Sequence, residues 1–177
     1  MAKRVYETFH KNDECYTPAY AVRPLLPYLE RFKGRTIWCP FDTNESEFIR
    51  VLRGAGYTVV HQHIDDGGNF FDAGDGLFAT PVPDFDLIVS NPPFSNKARL
   101  VERVIKFGKP FALMLPMTWL NDSAPYRLFA GGGVDLQLLM FDRRVRFKNC
   151  GNQPSFGVGY HCAGILPRQI VFEKLGE

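Results

Sequence analysis

Apolar positions in this chain switch between two spacings, and the switches predict its elements. Over residues 19–32, Val22, Leu25, Leu26 and Leu29 recur at three- and four-residue steps, the repeat of a helix that buries one stripe. Thr17 is placed to cap that helix, and Pro18 takes its first position, where a missing N–H costs nothing. Pro24 and Pro27 each remove a helical donor, so a short or kinked helix is expected, ended by Gly34. Residues 35–42 form a short apolar strand leading into a loop, and 46–55 form a helix with Phe48, Ile49 and Leu52 inward, closed by Gly56. A second strand over 57–63, a glycine-containing loop over 64–71 and a strand over 85–90 follow.

The helical spacing returns over residues 97–107, where Leu100, Val101, Val104 and Ile105 share a stripe. Residues 110–115 are a further buried strand, and 116–120 leave its carboxyl end on the side of Asn91. Residues 136–141, 156–163 and 169–173 predict three more strands, with the Gly/Pro turn at 164–167 joining the last two as a hairpin. Strands alternating with helices predict an α/β fold: one doubly wound, mostly parallel, Rossmann-like sheet with right-handed crossovers and a C-terminal antiparallel hairpin.

Composition adds bounds. A chain of 177 residues, 45% hydrophobic and 23% charged, suits one globular domain, read as an irregular lead-in over 1–15 and a domain over 16–177. The opening residues hold no apolar signal segment and no stretch approaches bilayer length, so a cytoplasmic protein with no membrane partner is expected. Cys15, Cys39, Cys150 and Cys162 form no Cys-x-x-Cys pair and are read as free thiols. His61, His63 and His161 are the only grouping that suggests a metal, but alternate strand residues share a face with or without one, and no metal is expected.

A net charge of +2 does not declare a nucleic-acid partner. The densest basic run, Arg143, Arg144, Arg146 and Lys148, is interleaved with Val145 and Phe147. On a strand, Arg144, Arg146 and Lys148 would share one face, either as an edge protected by charge or as a rim that contacts phosphates.

The chemistry concentrates in Asn91-Pro92-Pro93-Phe94, directly after the apolar run 85–90. As turn chemistry alone, the prolines fix φ and keep Asn91 out of the helical region. Its place at a strand's carboxyl end, where open α/β sheets hold ligands, points further. The Asn91 amide oxygen and the Pro92 carbonyl can both accept from one NH₂ group while Phe94 stacks on the ring or amide that carries it.

With these residues in hand, the chain resembles the class I S-adenosylmethionine-dependent methyltransferases, and more narrowly the EcoRI-type adenine-specific DNA methyltransferases and their short phage-borne relatives. The resemblance rests on Tyr16-Thr17-Pro18, Trp38-Cys39-Pro40-Phe41-Asp42 and Asn91-Pro92-Pro93-Phe94, with Asn96-Lys97, Thr118-Trp119-Leu120-Asn121-Asp122 and Arg144-Val145-Arg146-Phe147, and covers nearly the whole chain. It implies an S-adenosylmethionine site at Tyr16, Thr17, Pro18, Pro40, Phe41, Asp42, His63, Asn69 and Phe70, and catalysis at Asn91, Pro92, Pro93 and Phe94. The loop after the first strand lacks Gly-x-Gly, His63 stands where an acidic residue usually meets the ribose, and Asn69 replaces an Asp.

The expected activity is methylation of the N6 amine of adenine in DNA, by in-line displacement on a base flipped from its stack. Contacts from Arg144, Arg146 and Lys148 would track phosphates, and a protein partner would supply recognition that this short chain does not carry. RNA, a protein glutamine amide, or binding without turnover are the alternatives.

Overall fold

The computed structural model describes residues 15–63, 70, 81–131 and 133–176. Asn69, most of the predicted 64–71 loop and the lead-in up to residue 14 lie outside the described residues.

Pro24 and Pro27 break the first helical segment as expected. It runs as α1 (Ala19–Val22), a 3-10 turn Arg23–Leu25, α2 (Leu26–Leu29) and a second 3-10 turn Glu30–Phe32. Thr17 does not cap it: the cap position belongs to Pro18, no side chain bonds there, and the Pro18 carbonyl takes Ala21 N at 3.0 Å. The chain continues through β1 (Thr36–Cys39), α3 (Glu47–Gly54), β2 (Thr58–His61), β3 (Leu87–Ser90), α4 (Lys97–Lys106), β4 (Phe111–Pro116), a 3-10 turn Met117–Asn121, α5 (Ser123–Phe129), β5 (Gln137–Phe141), β6 (Val158–Ala163) and β7 (Ile170–Glu173).

These strands form one sheet in the order β2-β1-β3-β4-β6-β5-β7. The first four in that order are mutually parallel, β6 runs antiparallel to β4 and β5, and β7 is parallel to β5. A sheet covered on both faces needs strands apolar on both faces, which is why β3 and β4 are buried at every position. Alternate residues feed two cores. Ile37, Cys39, Leu87, Val89, Ala112 and Met114 join one with α1 and α3, and Trp38, Ile88, Phe111, Leu113 and Leu115 join another with α4. This is the doubly wound arrangement that the alternation of elements predicts. Among the described residues no helix is long and apolar enough to cross a membrane.

Two expectations need correction. The last two strands are not a hairpin, because β5 lies between β6 and β7. The reason is Gln137 at the start of β5: its Oε1 accepts from Ile165 N and Leu166 N at 2.9 Å each, and its Nε2 donates to Leu166 O at 2.7 Å. The turn after β6 is thereby pinned over the end of β5 and delivers β7 to its far side. The cysteines are not all free either. Cys15 and Cys150 form a disulfide with Cα atoms 4.7 Å apart, while Cys39 and Cys162 are free and buried. A separation of 135 residues leaves no local spacing from which the pair could be read.

Gly159 in β6 is a point of close approach. A Cβ there would lie 2.8 Å from the Leu139 carbonyl oxygen and 2.9 Å from Met117 Sδ. The first is backbone of the neighbouring strand and cannot swing aside. Gly159→Ala is expected to destabilise the fold by about 1–3 kcal/mol, read as a lower midpoint in chemical denaturation; an unchanged midpoint would show that β5 and β6 can spread without cost.

Candidate active site

Strand order reverses beside β1, which has β2 on one flank and β3 on the other. In open α/β sheets such a reversal leaves a crevice at the strands' carboxyl ends. The segments leaving β1 and β3 here are Pro40-Phe41-Asp42 and Asn91-Pro92-Pro93-Phe94.

The loop after β1 is held by its backbone and by one carboxylate. Gln62 N donates to Cys39 O, and Asp42 N donates to Gln62 O, both at 3.1 Å, so pairing with the β2 side continues past the strand ends. The Asp42 side chain, 6% exposed, accepts from Ser46 Oγ at one oxygen and from Ser90 Oγ at the other. Ser46 is itself the N-cap of α3 and accepts from Phe48 N at 3.2 Å. One carboxylate therefore ties the β1 loop, the start of α3 and the last residue of β3.

Burial pushes the Asp42 carboxyl up to about 6, against the opposing pull of the two serine hydroxyls and of nearby His63. The structure thus brings Asp42 and His63 to one locality. Pro40 is buried, and Phe41 packs on Phe70 with ring centroids 4.8 Å apart. Phe70 is 5% exposed and also meets Trp38 at 5.7 Å. It helps build the core that backs this loop.

Asn91 leaves the end of β3 with its Oδ1 buried and without a hydrogen-bond partner. Such atoms are rare in folded proteins because the desolvation they suffer is not repaid. Pro92 is buried, and Pro93 and Phe94 are half-buried. The Phe94 ring is fixed edge-on by Phe147 at 6.4 Å and Phe156 at 5.8 Å, and its carbonyl accepts from Lys97 Nζ at 3.2 Å. Asn96 then enters α4 with φ 57°, a left-handed conformation that Asn tolerates.

Thr17 and Pro18 are buried, Tyr16 is exposed, and Thr17 Oγ1 is another buried oxygen without a partner, as are Tyr57 Oη and Gln62 Oε1. The missing cap bond and this unpartnered hydroxyl are the same fact. Tyr16 and Lys148 exchange two backbone hydrogen bonds, Tyr16 N to Lys148 O at 3.0 Å and Lys148 N to Tyr16 O at 2.8 Å. Tyr20 Oη accepts from Arg146 N at 2.9 Å and donates to Arg146 O at 3.2 Å.

The basic segment is thus extended and flanks the amino-terminal one, but it forms an isolated bridge and not a strand of the sheet. Its alternation is as expected: Val145 and Phe147 are buried, while Arg144, Arg146 and Lys148 are exposed. Lys148 Nζ is engaged by Glu47 at 3.0 Å and Arg143 donates to the carbonyls of Leu175 and Gly176 at 3.0 and 2.8 Å, which leaves Arg144 and Arg146 as the cations facing solvent from this stretch.

Sequence reasoning missed Ser46 and Ser90, the two donors to Asp42. Ser90 had a signal, as the one polar residue closing an otherwise apolar buried strand. Ser46 had another, as a capping type four residues after an Asp.

No protein-family model matches the sequence. No curated protein matches it either. Solved structures do resemble the fold. One, described as a modification subunit of a type I restriction enzyme from Vibrio vulnificus YJ016, superposes over 100% of this chain and 50% of its own, with TM-score 0.58 and 12% identity. A chain from a study of complex assembly in a type I restriction-modification system gives 99% and 49%, TM-score 0.59 and 14% identity. A third, described as a class I S-adenosylmethionine-dependent methyltransferase from Listeria monocytogenes, gives 92% and 66%, TM-score 0.50 and 10% identity. The chain spans about half the length of the first two. At these identities the likeness establishes the fold alone.

The carboxyl of Asp42 generates a pH test. Its value is raised from 3.8 to about 6, so the folded protein favours the protonated form, and the benefit of protonation is lost as pH rises through about 6. Asp42→Asn removes that titration. The difference in stability between variant and wild type should move in the variant's favour by up to about 3 kcal/mol between pH 4 and pH 7. Buried His161, lowered to about 4 by desolvation, titrates in both proteins and cancels in the comparison. Denaturation curves across this range check it, and a flat difference would place the Asp42 carboxylate in a well-solvated setting.

Proposed function

We propose that this chain is an S-adenosylmethionine-dependent methyltransferase acting on the exocyclic N6 amine of adenine in DNA. The observation that carries the reading is Asn91 Oδ1, a buried acceptor with no partner, at the carboxyl end of β3 beside the reversal of strand order and followed by two prolines and an aromatic ring. An acceptor kept dry and unpaired is prepared for a donor from a ligand.

The residues on the other side of the crevice suit the cofactor. Thr17 Oγ1 is a second unpaired oxygen, each Asp42 oxygen carries one serine donor and keeps a lone pair, and Phe41 offers a half-buried ring. Thr17, Pro18, Pro40, Phe41, Asp42 and His63 are the residues to hold it. Bound there, the cofactor supplies a methyl group on a sulfonium, an electrophile strong enough to need no acid from the protein.

The protein's own work is placement. Asn91 Oδ1 and the Pro92 carbonyl accept from the two N–H bonds of the target amine and favour its pyramidal, more positive form as the nitrogen becomes a nucleophile. Phe94, braced by Phe147 and Phe156, gives the base a fixed surface to lie on. The surplus proton leaves to water. DNA is favoured over RNA or a protein amide by the likeness to type I restriction-modification chains. Because this chain spans only about half of those chains, we assign sequence recognition to a partner protein or a further segment, with Arg144 and Arg146 tracking phosphates.

S-adenosylmethionine should raise the melting temperature by mass action. Asn91→Ala should abolish transfer to unmethylated DNA while leaving cofactor affinity nearly unchanged; near-normal turnover in the variant would make the Asn91 turn structural. Replacing Arg144 and Arg146 with Gln should weaken DNA binding on every sequence alike and reduce the slope of log affinity against log salt by about 2. An unchanged slope would remove these arginines from the interface.

A further inference from the structure

The disulfide sits at one end of a zipper that no requirement of methyl transfer explains. Next to Cys15–Cys150 comes the two-bond bridge between Tyr16 and Lys148, and then the grip of Tyr20 Oη on both backbone groups of Arg146. One side of the zipper carries Thr17 and Pro18. The other carries Phe147, which touches the Phe94 ring.

Cys15 and Cys150 are both half-buried and within reach of small thiols. Cys39 and Cys162 are buried completely, and burial raises both thiols, which keeps them out of exchange reactions. Among the described residues, Tyr16 is exposed at this point and α1 begins without a side-chain cap. Opening the disulfide removes the one covalent anchor of this segment and leaves the Tyr16–Lys148 bridge, the Tyr20–Arg146 bonds and the burial of Thr17 and Pro18 to hold it.

We propose that Cys15 and Cys150 form a redox clasp on the cofactor side of the site: joined, they hold Thr17 and Pro18 in their binding position, and separated, they release them and weaken cofactor binding. The inference rests on the cofactor reading above. Closure runs by thiol–disulfide exchange with a low-molecular-weight disulfide such as glutathione disulfide. One cysteine thiolate attacks it, a mixed disulfide forms and one small thiol leaves. The second cysteine then attacks the protein sulfur of the mixed disulfide and displaces the other small thiol. Two electrons and two protons pass from the protein thiols to the small disulfide, and excess small thiol reverses both steps.

The test compares the full chain equilibrated with glutathione disulfide against the chain reduced with dithiothreitol. Titration in denaturant should find two free thiols in the first and four in the second, following the one disulfide among four cysteines. Calorimetry should show S-adenosylmethionine binding about tenfold more weakly to the reduced protein, as expected if the binding-competent arrangement falls to roughly a tenth of the population. Cys15→Ser and Cys150→Ser should each bind like the reduced wild type and ignore the reductant. Amide exchange at Tyr16 and Lys148 should quicken on reduction in the wild type.

Equal affinity in the two forms overturns the clasp even if both bind, as does finding four thiols after oxidation. If neither form binds the cofactor, the functional reading fails, and amide exchange still decides the clasp: faster exchange on reduction supports it and unchanged exchange overturns it.

Discussion

A carboxylate taken out of water must be surrounded by donors, and the carboxyl edge of this sheet is built around that requirement. Asp42 is buried where β1, α3 and β3 converge, and each of its oxygens takes a hydroxyl hydrogen from a different element. Remove the serines and the buried charge loses several kcal/mol of compensation. Remove the carboxylate and two serines lose their acceptor. The interaction is thus a constraint on geometry. It fixes where the chain leaves β1 and where Ser90, and with it Asn91, leaves β3. The rise of the Asp42 carboxyl to about 6 shows that the compensation is incomplete, as befits a group with lone pairs still to offer.

The rest of the crevice depends on that edge. Phe94 is aimed by Phe147 and Phe156, and Phe147 belongs to the extended segment that pairs with Tyr16. Gln153 holds this segment's backbone from the other side, accepting from Phe147 N at 2.9 Å and donating to Phe147 O at 2.7 Å. Glu47, at the start of α3, adds the ion pair to Lys148. An exposed pair contributes little energy by itself. Its place matters more, since it links the helix capped through Asp42 to the segment that braces Phe94.

How much of this could be read in the sequence follows from which contacts are local. Strand and helix positions were legible because they are written in spacings of two and of three or four residues; Pro24, Pro27 and Gly34 marked their breaks where the structure has them. The alternation that puts Val145 and Phe147 on the face opposite Arg144, Arg146 and Lys148 is present although the segment is no strand. What failed was long-range. The hairpin expected of the last two strands is overruled by Gln137, a polar residue whose three bonds to the following turn leave no periodic trace. The Cys15–Cys150 pairing spans most of the chain, and the Thr17 cap was a local preference that the burial of that residue overrode. The Asn91-Pro92-Pro93-Phe94 turn is visible in the sequence at a strand's carboxyl end, but the unpaired oxygen of Asn91 is a fact of packing.

Of the unpaired buried side-chain oxygens among the described residues, which also include Tyr57 Oη and Gln62 Oε1, those of Thr17 and Asn91 lie on the segments that the proposed site uses. Each lowers stability by about 1–3 kcal/mol relative to a paired group. A chain selected for stability alone would place an apolar residue there, or a donor beside each. Both oxygens lie on segments that neighbouring elements hold firmly: Thr17 by the Tyr16 bridge and the disulfide, Asn91 by Ser90 and the two prolines that follow. Rigidity on both sides prevents either group from turning to find water. The deficit is therefore retained in the folded state, and under the proposed reading the same stiffness reduces what binding must spend on ordering the site.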